Sequence, residues 1–132
     1  SAICIIFFDV NNLKLMNDTL GHEHGDYVIK QAAEYIKRVT EDKHLCFRIG
    51  GDEFLVVMND PSYYEIDRII DTIEKDAPYI LSPEGDSIKC ALSYGYAYAK
   101  GEYSYDELFT EAEENMYKKK SELKTLLNMP DR

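Results

Sequence analysis

Gly50-Gly51-Asp52-Glu53-Phe54 decides how this chain reads, because it sets two glycines and two carboxylates between two apolar runs. Leu45-Cys46-Phe47-Arg48-Ile49 leads in and Phe54-Leu55-Val56-Val57-Met58 leads out. Two strand-like runs separated by a few flexible or polar residues predict a β-hairpin with the acids at its tip. A tight turn asks only for residues that reach positive φ. Paired glycines also remove side chains and let a bulky group approach the backbone. Adjacent carboxylates beside bare backbone suit a metal-bound phosphate.

Outward from the hairpin, strands and helices interleave without linkers, repeats or low-complexity stretches. Ser1 to Phe8 is almost wholly apolar and reads as a buried strand, with Asp9 emerging at its end. Val28, Ala32, Tyr35, Ile36 and Val39 recur at helical spacing, predicting a helix over roughly 23–40. Ser62 and Glu65 form a capping box ahead of Ile66, Ile69, Ile70 and Ile73, and Asp76-Ala77-Pro78 ends that helix. Alternation through Ile88, Cys90, Leu92, Tyr94, Tyr96 and Tyr98 predicts a central strand over Ser87 to Ala99. A second capping box, Ser104 and Glu107, starts a helix carrying Leu108, Phe109, Ala112 and Met116 and ending in Lys118-Lys119-Lys120. The order β, α, β-hairpin, α, β, α predicts an α+β sandwich whose sheet is mainly antiparallel, with helices covering one face.

Composition narrows the function. With 132 residues the chain reads as one domain, and 45% hydrophobic with 30% charged residues is ordinary globular composition. No run approaches the roughly 18 apolar residues of a membrane span, so no direct membrane contact is expected. Cys4, Cys46 and Cys90 fall in strand-like segments and read as reduced core thiols in a cytoplasmic compartment. A formal net charge of −10 opposes nucleic-acid binding, which depends on Lys and Arg neutralising phosphates. An anionic substrate would need divalent metal and a local basic cluster. If the first strand lies beside the hairpin, Asp9 and Asp52 converge as the carboxylates of an in-line phosphoryl-transfer site. Read alone, each acid also fits a solvated turn. His22 and His24 are spaced like metal ligands, but hard Mg2+ or Mn2+ prefers oxygen.

Between the acids runs Lys14-Leu15-Met16-Asn17-Asp18-Thr19-Leu20-Gly21-His22-Glu23-His24-Gly25-Asp26. With Asp9, Lys14, Asn17-Asp18, Gly21-His22, Gly25-Asp26 and Gly50 to Phe54 in that order, the chain resembles the GGDEF domain of diguanylate cyclases. Ser93-Tyr94-Gly95-Tyr96-Ala97 and Ala112 to Lys120 are similar to that family's later strand and last helix. The resemblance covers nearly all of residues 1–132. It implies a cyclase or polymerase-palm fold in which two facing domains condense two GTP into cyclic di-GMP, releasing pyrophosphate. It further implies Mg2+ or Mn2+ at Asp9, Asp52, Glu53 and the Val10 carbonyl, with Glu53 either ligating metal or taking the 3′-hydroxyl proton. Asn17 and Asp26 match guanine-reading positions. Lys14, Lys120, Lys124 and the backbone of Asn12 and Leu13 match phosphate contacts, and Gly50 and Gly51 leave room for the nucleotide.

Departures from the family pattern shape further expectations. Asn11 stands where many members have a second Asp, and Leu13 stands before Lys14. Glu41 and His44 occupy the positions of the family's inhibitory Arg-x-x-Asp, so inhibition by product at that site is expected to be lost. The resemblance leads one to expect an Asp-x-Leu-Thr-Gly-Leu-x-Asn-Arg segment ahead of the first strand, and the sequence, opening at that strand, reads as a domain without its usual N-terminal helical segment. The resemblance implies an upstream sensory domain in a parent protein, which is compatible with a membrane-anchored receptor, and only transient homodimerisation. The alternatives to an active cyclase are a catalytically silent module that binds GTP or regulates a partner domain, and a structural dimerisation domain.

Overall fold

In the computed structural model, which describes residues 1–127, nine elements follow one another: β1 (Ala2–Val10), α1 (Leu13–Leu20), α2 (His22–Val39), β2 (Leu45–Arg48), β3 (Glu53–Asn59), α3 (Tyr63–Asp76), β4 (Tyr79–Ile80), β5 (Ala91–Lys100) and α4 (Tyr105–Leu127). All strand pairings are antiparallel, in the order β2-β3-β1-β5-β4. The α+β architecture read from the sequence is therefore the one observed. β5 is an interior strand, but the middle of the sheet is β1, every residue of which is buried.

Side chains of a strand alternate between faces, and β1 is apolar on both. Cys4, Ile6, Phe8 and Val10 belong to a cluster with Met16 of α1, Val28 and Ile36 of α2, and Ile66 and Ile69 of α3. Ile3, Ile5 and Phe7 belong to a second cluster with Leu108, Ala112 and Met116 of α4. Helices thus cover both faces, not one. A strand as uniformly apolar as β1 requires this.

Gly95 sets how closely α4 approaches. It pairs with Phe7 across the sheet, and a Cβ there would lie 2.0 Å from the Met116 backbone nitrogen and 2.5 Å from the Ala112 carbonyl oxygen. Nearby, Phe7 and Phe109 meet edge to face at 5.3 Å.

Several boundaries differ from expectation for local reasons. α1 is an additional helix, ended at Gly21, whose φ of 97° L-side chains rarely adopt and whose N–H bonds to the Asn17 carbonyl. Eight residues make little more than two turns, too short a stretch for repeated apolar spacing to announce it. β5 starts at Ala91 rather than Ser87 because the preceding backbone is bonded elsewhere: Asn12 Nδ2 donates to the Lys89 carbonyl and Cys90 N donates to Ser82 Oγ. Both capping boxes form in their first half, Glu65 N donating to Ser62 Oγ at 3.0 Å and Glu107 N to Ser104 Oγ at 3.4 Å. α4 does not end at Lys118–Lys120 but continues to Leu127, so these lysines do not cap it. Cys46 is exposed on edge strand β2 rather than a core thiol. Burial raises the thiols of Cys4 to about 12 and of Cys90 to about 11, which keeps both poor nucleophiles.

Gly95→Ala should cost about 2–4 kcal/mol of stability, because the new methyl meets helix backbone rather than a side chain that can turn away. Urea denaturation measures this, and a loss below about 0.5 kcal/mol would show that α4 does not need its close approach.

Candidate active site

The site is built where β1 ends beside the hairpin. Asp9 lies opposite Glu53 on one side and Ser93 on the other. Val10 N donates to the Asp52 carbonyl at 2.8 Å, Ile49 N to the Glu53 carbonyl at 2.9 Å, and Arg48 Nη2 to the Gly51 carbonyl at 2.7 Å. These bonds fix the tip against the strand end. Asp9, Asp52 and Glu53 consequently offer carboxylate oxygens that all lie within 4.8 Å of one another. Oxygens bound to one Mg2+ at about 2.1 Å stand up to roughly 4.2 Å apart, so a slight closure makes this set fit such an ion. Neither His22 nor His24 joins the cluster among the described residues. Neither Gly50 nor Gly51 lies at positive φ. Their use is space: a Cβ on Gly50 would come 2.8 Å from Glu53 Oε1, and the volume around Gly51 is open.

The opposite wall is α4. Lys120 Nζ lies 3.0 Å from Asp9 Oδ2, with the two side chains only 13% and 3% exposed. Tyr117 lies under the same ammonium, 5.9 Å from ring centroid to Nζ. The Glu53 carboxyl is pushed above its ordinary value, first by burial and then by Asp52, Asp9 and Glu113, with Lys120 opposing. Glu113 and Tyr117 thus border the site, although the sequence analysis singled out neither. Their signal was the spacing of Glu113, Tyr117 and Lys120, which puts them along one side of a helix.

The turn from β1 into α1 supplies the remaining residues. Asn11 is buried and accepts from Ser93 Oγ at 3.0 Å, so in this chain the position ties β1 to β5. Asn12 is left-handed at φ 68°, and α1 begins at Leu13, whose first-turn N–H groups have no intrahelical acceptor. Lys14 is exposed and pairs with Asp18 of its own helix at 2.9 Å. Asn17 Oδ1 is buried, accepts no hydrogen bond from the described residues, and presses on Gly25, where a Cβ would sit 1.6 Å away. Asp26 is exposed one residue beyond that contact. Lys124 lies half-buried, one turn past Lys120.

Glu41 and His44 are engaged with α3. Arg68 Nη2 lies 2.6 Å from Glu41 Oε1, and His44 Nε2 lies 2.9 Å from Glu65 Oε2. A groove of 530 Å³ on α3, lined by Tyr64, Arg68 and Glu74 among others, includes none of the clustered acids. Its position does not mark the chemistry.

Comparison with known proteins accords with this geometry. The sequence profile of the family described as "Diguanylate cyclase, GGDEF domain" matches residues 1–125. The diguanylate cyclase DosC of Escherichia coli K12 is 30% identical over 121 residues, which cover 89% of this chain and 26% of that protein. DgcN of the same strain is 34% identical over 119 residues, covering 88% of this chain and 29% of that protein. The chain therefore spans between a quarter and a third of the length of these relatives. Among solved structures, the active GGEEF domain of a Vibrio cholerae diguanylate cyclase superposes with a TM-score of 0.76 at 24% identity, over 92% of this chain and 78% of that one. The GGDEF domain of Caulobacter crescentus DgcB, solved in complex with c-di-GMP, gives 0.73 at 26% identity, over 92% and 73%. The chain belongs to the GGDEF family of diguanylate cyclase domains. Among its described residues, no helix is long and apolar enough to cross a membrane.

α4 is held beside the site by a second polar contact. Glu74 at the end of α3 accepts from the buried Tyr94 hydroxyl and pairs with Lys119 at 2.8 Å. Lys119 and then Tyr94 hold the Glu74 carboxyl below its ordinary value. A carboxylate depressed in the folded state adds stability above its unfolded pKa, and that stability is lost as pH falls through the folded value. Glu74 is half exposed, so Glu74→Gln should cost no more than about 1 kcal/mol at pH 7. The gap between variant and wild type should close in acid, below the ordinary Glu range. A gap that stayed constant from pH 7 to pH 3 in thermal melts would mean that the carboxylate charge is not what Lys119 and Tyr94 hold.

Proposed function

We propose that residues 1–132 form a diguanylate cyclase domain, which joins two GTP molecules into cyclic di-GMP and releases two pyrophosphates. The observation that carries this reading is the gathering of Asp9, Asp52 and Glu53 at two strand ends with Lys120 facing them. Asp9, Asp52, Glu53 and the Val10 carbonyl would hold Mg2+ or Mn2+. Such ions, when bound, neutralise a triphosphate and acidify the attacking 3′-hydroxyl.

The chain's own groups do the rest. The first-turn N–H groups of α1 and the backbone of Asn12 and Leu13 offer donors to the phosphates. Lys14 exchanges its exposed Asp18 contact for a phosphate oxygen, and Lys120 and Lys124 approach from α4. Open space over Gly51 and the bare backbone at Gly50 admit the nucleotide at the hairpin tip. The buried Asn17 Oδ1 and the Asp26 carboxylate accept from guanine N1–H and N2–H, donors that adenine does not present together. Glu53 either ligates the metal or takes the proton that the 3′-oxygen gives up as it attacks the α-phosphate of a facing GTP.

One domain orients one GTP, and two phosphodiester bonds need a second nucleotide facing it. Turnover then takes place in a transient two-fold pair. The net charge of −10 opposes pairing by the isolated chain. Pairing falls to an upstream sensory domain of a longer cytoplasmic or membrane-anchored protein. Engagement of Glu41 and His44 with α3 is compatible with loss of product inhibition there.

With GTP and Mg2+, the wild-type chain at high concentration should form cyclic di-GMP. Asp52→Asn should lower turnover about a hundredfold or more while leaving the circular dichroism spectrum unchanged. Wild-type turnover by the variant would refute the assignment of the acid cluster. Guanine-nucleotide binding without any product would favour the silent, regulatory reading.

A further inference from the structure

The acid cluster already contains a cation of the chain's own. Asp9, Asp52 and Glu53 crowd their oxygens within 4.8 Å at a largely buried strand end, and Glu113 adds a fourth carboxylate bearing on Glu53. Like charges gathered in such a place repel one another at short range and low dielectric. The Lys120 ammonium sits 3.0 Å from Asp9 Oδ2 and is itself nearly buried. We propose that Lys120 is a resident counter-ion that competes with divalent metal for the acid cluster, so that metal binds weakly until Lys120 has another partner.

Resting on the cyclase reading, this adds regulation of the same site. Two charges cannot share Asp9 cheaply: a dication placed among these carboxylates either displaces the ammonium or bears its repulsion. The helix that carries Lys120 has little freedom to retreat. Its backbone closes on Gly95, and Lys119 is held by Glu74. What can move is the Lys120 side chain, a flexible four-carbon stem, with the Tyr117 ring beneath it. A triphosphate at the hairpin tip offers the displaced ammonium a new anion. Metal and triphosphate then strengthen each other's binding, and the coupling is reciprocal.

The test needs no nucleotide and no turnover. Mn2+ is titrated into the whole chain, with free Mn2+ followed by its electron paramagnetic resonance signal. Lys120→Met should bind Mn2+ about tenfold or more tightly than wild type, because a unit positive charge beside the ion has gone. Lys120→Gln serves equally if the Met variant does not fold. Lys120→Arg, which keeps the charge, should bind as weakly as wild type. Adding Asp9→Asn to Lys120→Met should abolish the gain, which places the extra affinity at the acid cluster. Neutral variants that bind Mn2+ no more tightly than wild type would overturn the proposal, as would an Arg variant that gains as much as Met. Failure of the cyclase reading looks different: the Met variant gains Mn2+ affinity while the wild type makes no cyclic di-GMP.

Discussion

The ion pair between Asp9 and Lys120 is where two hydrophobic surfaces of this protein run out. Along β1 the residues facing α4 are Ile3, Ile5, Phe7 and then Asp9. Along α4 the residues facing β1 are Leu108, Ala112 and Met116, and one turn later Lys120. The same packing that buries the apolar part of each stripe delivers its charged end into the other. That register depends on Gly95, which lets the α4 backbone rest on β5 directly beside Phe7. Site geometry and core packing are therefore one constraint: moving α4 by a turn would both misfit Met116 and take Lys120 away from Asp9.

The hairpin meets this arrangement from the other edge of β1. Antiparallel register alone sets Glu53 opposite Asp9, and a single bond from Val10 N to the Asp52 carbonyl pins the tip. The acids are crowded because Asp9 and Glu53 are set opposite each other by strand pairing and Asp52 is tied to β1 through its carbonyl. Separately stable elements do not have to be brought together at a loop. Burial first, and then the neighbouring carboxylates, raise the proton affinity of Glu53.

Much of this was legible in the sequence. Seven apolar residues before Asp9 announced a buried strand, although helices were expected on only one face of the sheet, and the paired runs around Gly50 to Glu53 announced the hairpin. Ser62 and Ser104 marked two helix starts, because capping depends on the local chain alone. What escaped depends on tertiary context. The extent of α4 was hidden because Lys118-Lys119-Lys120 resembles a helix C-terminus, whereas Lys119 and Lys120 are spoken for by Glu74 and Asp9 on other elements. α1 was hidden because its polar residues favour turns until Leu13 and Met16 are buried against the sheet. The role of Gly25 as the seat of the Asn17 amide could not be read without knowing how α1 and α2 cross. Cys46 looked like a core residue because β2 has strand composition, but an edge strand has no helix above it to bury it.

The central claim is that Asp9 and the hairpin acids form one cation-binding site governed by Lys120. It is tested most directly by a crystal structure with Mn2+ and a non-cyclisable GTP analogue, using anomalous scattering to locate the ion. The account predicts a Mn2+ peak about 2.2 Å from oxygens of Asp9 and of Asp52 or Glu53, with Lys120 Nζ moved from Asp9 to a phosphate. A peak away from all three acids, or a Lys120 that stays on Asp9 with metal and nucleotide both bound, would contradict it.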